Sequence, residues 1–207
     1  MNRLPQINTM QGMKTLAILS AALLATAAQA QTVFSDSFEA NVLNLNSVPT
    51  GWVVTNAGTV DVIGAGLYGE LCAGSGTCID LDGSNGLSGV LSRSVTLTAG
   101  TTYTLSFDIA GNRRGAGIET GTVSLGTANL NYSLADSSGA APYQHLSLAF
   151  TPGVTTSYTL SFANFGGDNQ GAILDNVTLT AAVPEPASAA LLLLGLGGLM
   201  LLKRKRD

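Results

Sequence analysis

Four stretches of the chain alternate apolar and polar residues with a period of two. In residues 101–111, Tyr103, Leu105, Phe107 and Ile109 share one parity, and Thr102, Thr104, Ser106 and Asp108 share the other. Successive side chains of an extended strand point to opposite faces, so this pattern predicts a strand with one buried face. Residues 143–153 repeat it with Leu146, Leu148 and Phe150, and residues 156–167 with Tyr158, Leu160 and Phe162. In the fourth stretch, GAILDNVTLTA, Ile173, Asp175, Val177 and Leu179 share parity. Weaker extended runs lie at 32–38, 51–55, 58–63, 89–99 and 121–125. Together they predict about nine strands, with Gly, Asn, Pro or Ser at most breaks.

Strands with one apolar face must bury it against another layer, and many short strands in this length predict an antiparallel two-sheet sandwich. No helical pattern of 10–15 residues separates the strands, which disfavours a parallel α/β sheet. The echo of TTYTLSF at 101–107 in TSYTLSF at 156–162 is a single pair, too little for a solenoid.

The two ends break this pattern. Residues 1–30 carry Lys14, an apolar run from Leu16 to Ala28, and the small-x-small triplet Ala28-Gln29-Ala30. That order predicts a signal peptide cut by signal peptidase before Gln31. Near the other end, Ala187 to Leu202 form a 16-residue run without a charge, followed by Lys203, Arg204, Lys205 and Arg206. As a helix the run is about 24 Å long. A bilayer core is about 30 Å thick, and snorkelling basic side chains cover part of the difference. The basic cluster predicts a cytoplasmic stop, placing residues 31–182 outside the inner membrane.

Composition sharpens the picture of the middle. Only 11% of the residues are charged and 25 are glycine. Between residues 31 and 182, three arginines (Arg93, Arg113, Arg114) stand against eleven acidic residues, a formal charge of −8. Such a field, with no basic stripe, disfavours a nucleic-acid partner.

Export gives the cysteines a reading. Cys72 and Cys78 are the only two, and a disulfide between them is the natural state outside the cytoplasm. A ring this small constrains a local loop rather than the whole domain. Catalytic chemistry has little support. His145 is the only histidine and its parity opposes Leu146 and Leu148, which predicts an exposed sheet position. No G-x-S-x-G nucleophile context occurs. Asp80 and Asp82, two apart in an extended segment, are the carboxylate pair that a hydrolase reading would use. Arg113 and Arg114, adjacent in a glycine-bordered loop, suit contact with a glycan, or else an ion pair to a nearby carboxylate. Trp52, Tyr68, Tyr132 and Tyr143 are candidate stacking aromatics, with Trp52 equally suited to a core.

Two resemblances add to this reading. The order VPEP, apolar segment, basic stop over residues 183–207 resembles the PEP-CTERM sorting signal. The resemblance implies a bacterial exported protein whose tail is recognised at Pro184, Glu185 and Pro186 and removed by an exosortase, a cysteine-dependent integral-membrane enzyme. It also implies a host that makes extracellular polysaccharide, and hence a cell-surface or matrix role. The elements CIDLDG, FDIAGNRRG and ILDNVTL, within residues 33–180, resemble the jelly-roll domains of many such proteins, similar in outline to carbohydrate-binding modules and galactose-binding-like sandwiches. That resemblance implies a structural calcium, at positions matching Glu39 and Asp175, with Asp36 as a spare oxygen donor.

Overall fold

The computed structural model describes residues 30–73, 76–115, 117–135 and 142–183. The signal peptide through Gln29, Pro184, Glu185, Pro186, the apolar run, and Lys203 to Arg206 lie outside the described residues. Residues Ala28–Glu185 make one compact unit.

Its strands are β1 (Gln31–Asp36), β2 (Asn44–Ser47), β3 (Val53–Thr55), β4 (Val60–Ile63), β5 (Cys78–Asp80), β6 (Asp82–Gly83), β7 (Leu87–Ser88), β8 (Val90–Leu97), β9 (Tyr103–Ala110), β10 (Glu119–Leu125), β11 (Ala128–Leu134), β12 (Gln144–Phe150), β13 (Thr156–Asn164) and β14 (Ile173–Ala181). The first sheet runs β12-β9-β14-β5-β4-β2, with β1 also paired to β14. The second runs β11-β10-β13-β8-β3, and β6 and β7 form a short ribbon. All of these pairings are antiparallel. The expected all-β sandwich is therefore what the chain forms.

The alternating residues meet between the sheets. Leu105, Phe107 and Ile109 of β9 are fully buried against Leu160 and Phe162 of β13 and Leu91 of β8 in one core cluster. Phe107 and Phe162 pack edge to face at 5.1 Å between ring centroids. Trp52 is a core residue, ringed by Phe34, Phe38 and Phe162 at 6.0–6.3 Å. Its indole N–H donates to Asp36 Oδ2 at 2.8 Å, so the one polar atom of this large apolar side chain is satisfied. Asp36 Oδ1 accepts the N–H of Phe38 at 2.8 Å. Both oxygens of the expected spare donor thus tie the first strand to the core.

The parity expected in the last strand is broken. Between Asp175 and Thr178 the register against β9 shifts, and Asn176 takes a left-handed φ of 51°. A bulge of this kind inserts one residue and turns the following side chains over. Val177 and Leu179 face the main core together with Leu174. Ile173 and Asp175 share the outer face instead. Ile173 packs there with Ile63, Leu71, Cys72 and Cys78 in a second, smaller cluster.

Candidate functional site

The outer face of the first sheet gathers buried and exposed polar side chains. Asp175 of β14 lies directly opposite Asp108 of β9, and His145 of β12 lies opposite Asp108 on the other side. Like charges directly across an antiparallel pair are destabilising. The neighbours answer that cost in part. His145 Nδ1 meets Asp108 Oδ1 at 2.8 Å, and the Asn176 side-chain amide donates to Asp108 Oδ2 at 2.9 Å. The bulge is what aims the Asn176 side chain at Asp108. Asp175 Oδ1 accepts the Asn176 backbone N–H at 2.7 Å. Burial, and then the nearby charges of Glu39, Asp108 and Asp36, push the Asp175 carboxyl up to about 6.

A loop walls this face on one side. Cys72 and Cys78 are joined by the expected disulfide, with Cα atoms 5.5 Å apart. Arg113, itself in a left-handed turn, donates to the carbonyls of Leu71 at 2.7 Å and Cys72 at 3.2 Å, and its guanidinium stands 5.6 Å from the Tyr143 ring centroid. The Tyr143 hydroxyl donates to the same Leu71 carbonyl at 3.1 Å. Burial and the charge of Asp175 raise the Tyr143 phenol well above its ordinary range. Glu39 Oε1 accepts the Thr77 N–H at 2.9 Å, which fastens the other end of the loop. A Cβ at Gly76 would meet that same oxygen, so a larger residue there would shift the Glu39 side chain.

Glu39 is among the charges that raise the Asp175 carboxyl, the two residues the calcium expectation names. Among the described residues no group of three or more His, Cys, Asp or Glu side chains is arranged to hold a metal ion. Calcium takes six to eight oxygens, so these two carboxylates would need backbone carbonyls or water beside them.

Asp80 and Asp82 are placed differently from what a hydrolase reading needs. Both are buried. Asp80 forms an ion pair with Arg114, and its other oxygen accepts the N–H groups of Gly171 at 2.8 Å and Asp82 at 3.1 Å. A Cβ on Gly171 would strike the Asp82 backbone, which explains glycine at this crossing. Burial pushes the Asp80 carboxyl up to about 7 against the pull of Arg114. Glu119, also raised by burial, accepts from Asn112 at 2.7 Å and Asn164 at 3.1 Å. Arg114 therefore makes the internal ion pair, and Arg113 holds the loop wall. The FDIAGNRRG element forms a hydrogen-bonded network, and Glu119 and Asn164 are members that the sequence pattern did not single out.

The outer face of the second sheet is different in kind. It presents Ser92, Ser94 and Thr96 from β8, Ser157, Thr159 and Ser161 from β13, Thr120, Thr122 and Ser124 from β10, and Asn129, Asn131 and Ser133 from β11. Val53, Thr55, Val90 and Ala163 complete it, and no charged or aromatic side chain stands on these strand positions. Several hydroxyls are satisfied across the strands, as in Thr122 to Asn131 at 2.8 Å and Ser124 to Asn129 at 2.7 Å. At its margin Phe165 is 65% exposed, its N–H donating to the Thr120 carbonyl at 2.8 Å.

With this architecture in view, the chain can be placed among known proteins. The PEP-CTERM protein-sorting motif is matched over residues 182–206. This is an exported protein sorted by an exosortase, with its carboxy terminus anchored in the membrane before cleavage. Among the described residues no helix is long and apolar enough to cross a membrane; the apolar run lies outside them. No curated protein matches the sequence. Among solved structures, the apo form of a cyclase from Fischerella sp. is similar in fold, with a TM-score of 0.51 at 18% identity over 75% of this chain and 98% of that one. A xylan-binding domain from Paenibacillus barcinonensis superposes with a TM-score of 0.48 at 12% identity, over 76% and 99% of the two chains. Carbohydrate-binding and catalytic modules of a Clostridium thermocellum xylanase, complexed with xylohexaose, give 0.48 at 16% identity over 73% of this chain. The chain spans only 28% of that xylanase.

Proposed function

We propose that this is a non-catalytic cell-surface or extracellular-matrix protein, freed from its anchor by an exosortase and associated with extracellular polysaccharide. The sorting motif supports the delivery half of the reading. The observation that carries the other half is the segregation of charge on the sandwich. Sheet positions with carboxylates lie on the first sheet or in the buried network, whereas the second sheet offers an uncharged array of hydroxyls and amides. Such a face exchanges hydrogen bonds with sugar hydroxyls at no cost in charge desolvation. Each exchange is weak, and a polymer gains from engaging many at once. Exposed Phe165 at the margin adds an aromatic surface of the sort that sugar rings stack against. The burial of Asp80 and Asp82, and the pairing of Asp80 with Arg114, support the non-catalytic reading.

The proposal includes a structural calcium at Glu39 and Asp175, where the mutual repulsion of carboxylates favours a bound cation. It would brace the disulfide loop against β14 through Glu39.

Co-sedimentation of the 31–183 fragment with neutral polysaccharides tests the binding half. Binding is expected, weakened by Phe165→Ala and by Thr122→Glu, with no release of sugar over hours. Failure to sediment with any glycan would leave a purely structural matrix component. Release of reducing ends would overturn the non-catalytic assignment.

A further inference from the structure

The two ends of the compact unit are neighbours. Gln31, the first residue after the expected signal cut, pairs with Ala181, the last residue of β14. β14 is a central strand at this point. From Thr178 to Ala181 one edge is paired to β1 and the other to β9. The pairing runs on past the strand, because the Ala182 N–H donates to the Thr102 carbonyl at 2.8 Å. Val183 follows, 40% exposed. Pro184 is bonded to it, and consecutive Cα atoms are about 3.8 Å apart. The sorting motif therefore starts within two residues of a strand whose edges are both occupied.

A peptidase binds its substrate as an extended segment through backbone hydrogen bonds, much as an added strand does. A strand already bonded along both edges has no free N–H or C=O groups to offer. Opening β14 at this end breaks its pairings with β1 and β9 together. It also exposes Leu179, which is fully buried in the core.

We propose that the folded sandwich sets the upstream limit of the exosortase cut: the scissile bond lies on the carboxy side of Val183, and the released product keeps the whole of β14 paired with β1. This rests on the sorting reading above. In the cut, an enzyme thiol attacks the carbonyl carbon of the scissile peptide. The C–N bond breaks, and the thiol proton passes to the amine of the departing tail. Water or an amine acceptor then takes the acyl group from the thioester and restores the thiol. The signal cut before Gln31 sets the matching limit at the other terminus, so both cuts fall at the margin of one strand pair.

Intact-mass and terminal-peptide analysis of the released protein, from full-length chain in an exosortase-bearing strain, is the test. The expected product begins at Gln31 and ends at Val183 or beyond. A product ending at Ala182 or earlier would overturn the proposal. Hydrogen exchange on the full-length precursor in detergent gives a second, independent reading. The amides of Thr180 and Ala182 should exchange at least tenfold more slowly than those of an open chain. Open-chain exchange there would overturn the limit even if no product is released. A product of identical mass in a strain lacking the enzyme would instead contradict the sorting reading.

Discussion

Asp108 and Asp175 stand directly opposite each other on adjacent strands, with His145 and the side chain of Asn176 both directed at Asp108. Two carboxylates in that register repel, and the β-bulge at Asn176 supplies a side-chain donor to one of them, while the charge of Glu39 adds to the repulsion felt by Asp175. The arrangement leaves Asp175 short of positive partners on its own face, and this is what makes a cation there consequential.

Calorimetry with calcium on the 31–183 fragment should therefore show binding, and the melting temperature should rise by several degrees in millimolar calcium, on the order of 2–3 kcal/mol at saturating ratios. Asp175→Ala or Glu39→Ala should abolish most of both effects. Asp36→Ala should leave calcium affinity nearly unchanged, because Asp36 already holds the Phe38 N–H and the Trp52 indole. Absence of heat together with an unshifted melt in chelator would show that the two carboxylates hold no cation.

The disulfide closes a ring with a sequence separation of six. On the chain-entropy account, a ring this small is worth about 2 kcal/mol. A Cys72→Ser, Cys78→Ser double variant should still fold, with a melting temperature lower by several degrees and with faster exchange confined to residues 64–77. Free-thiol labelling of both cysteines in exported protein would contradict the bond.

Much of this was legible in the chain. The strict alternation in β9, β12 and β13 fixed their buried faces, because a period of two admits one assignment when only one face is apolar. Asp175 was misplaced for a local reason: parity counting assumes a regular strand, and an asparagine in a left-handed conformation breaks it without a glycine to give warning. The short strands β2, β5, β6 and β7 carry too few residues for a period to show. In β11, Leu130, Tyr132 and Leu134 do alternate, but asparagine and serine between them read as loop chemistry. The pairing of Asp108 with His145 joins residues 37 apart in sequence, a relation that depends on strand register and not on local pattern.

The buried acids give a pH dependence whose sign can be worked out. Burial raises Asp80 to about 7 and raises Asp82 and Glu119. In the unfolded chain these groups lose their protons at the ordinary value of about 4. Between about pH 4 and 7 the folded state binds more protons than the unfolded one, so stability falls as pH rises through that window. The melting temperature should be higher at about pH 5 than at about pH 8. Arg114→Met removes the cation that lowers Asp80, so the decline should become steeper and extend to higher pH. Asp80→Asn should flatten it. A wild-type melting temperature that rises from pH 5 to 8 would contradict the assignment.

The central claim is that the sandwich is cargo, held in the membrane only until an exosortase frees it. A tag inserted immediately before Val183, followed in strains with and without the exosortase, tests this most directly. The account predicts a smaller tagged product, released or surface-bound, in the first strain, and a full-length membrane-bound chain in the second. Glu185→Ala should move the first pattern toward the second. The same small product in both strains would contradict the account.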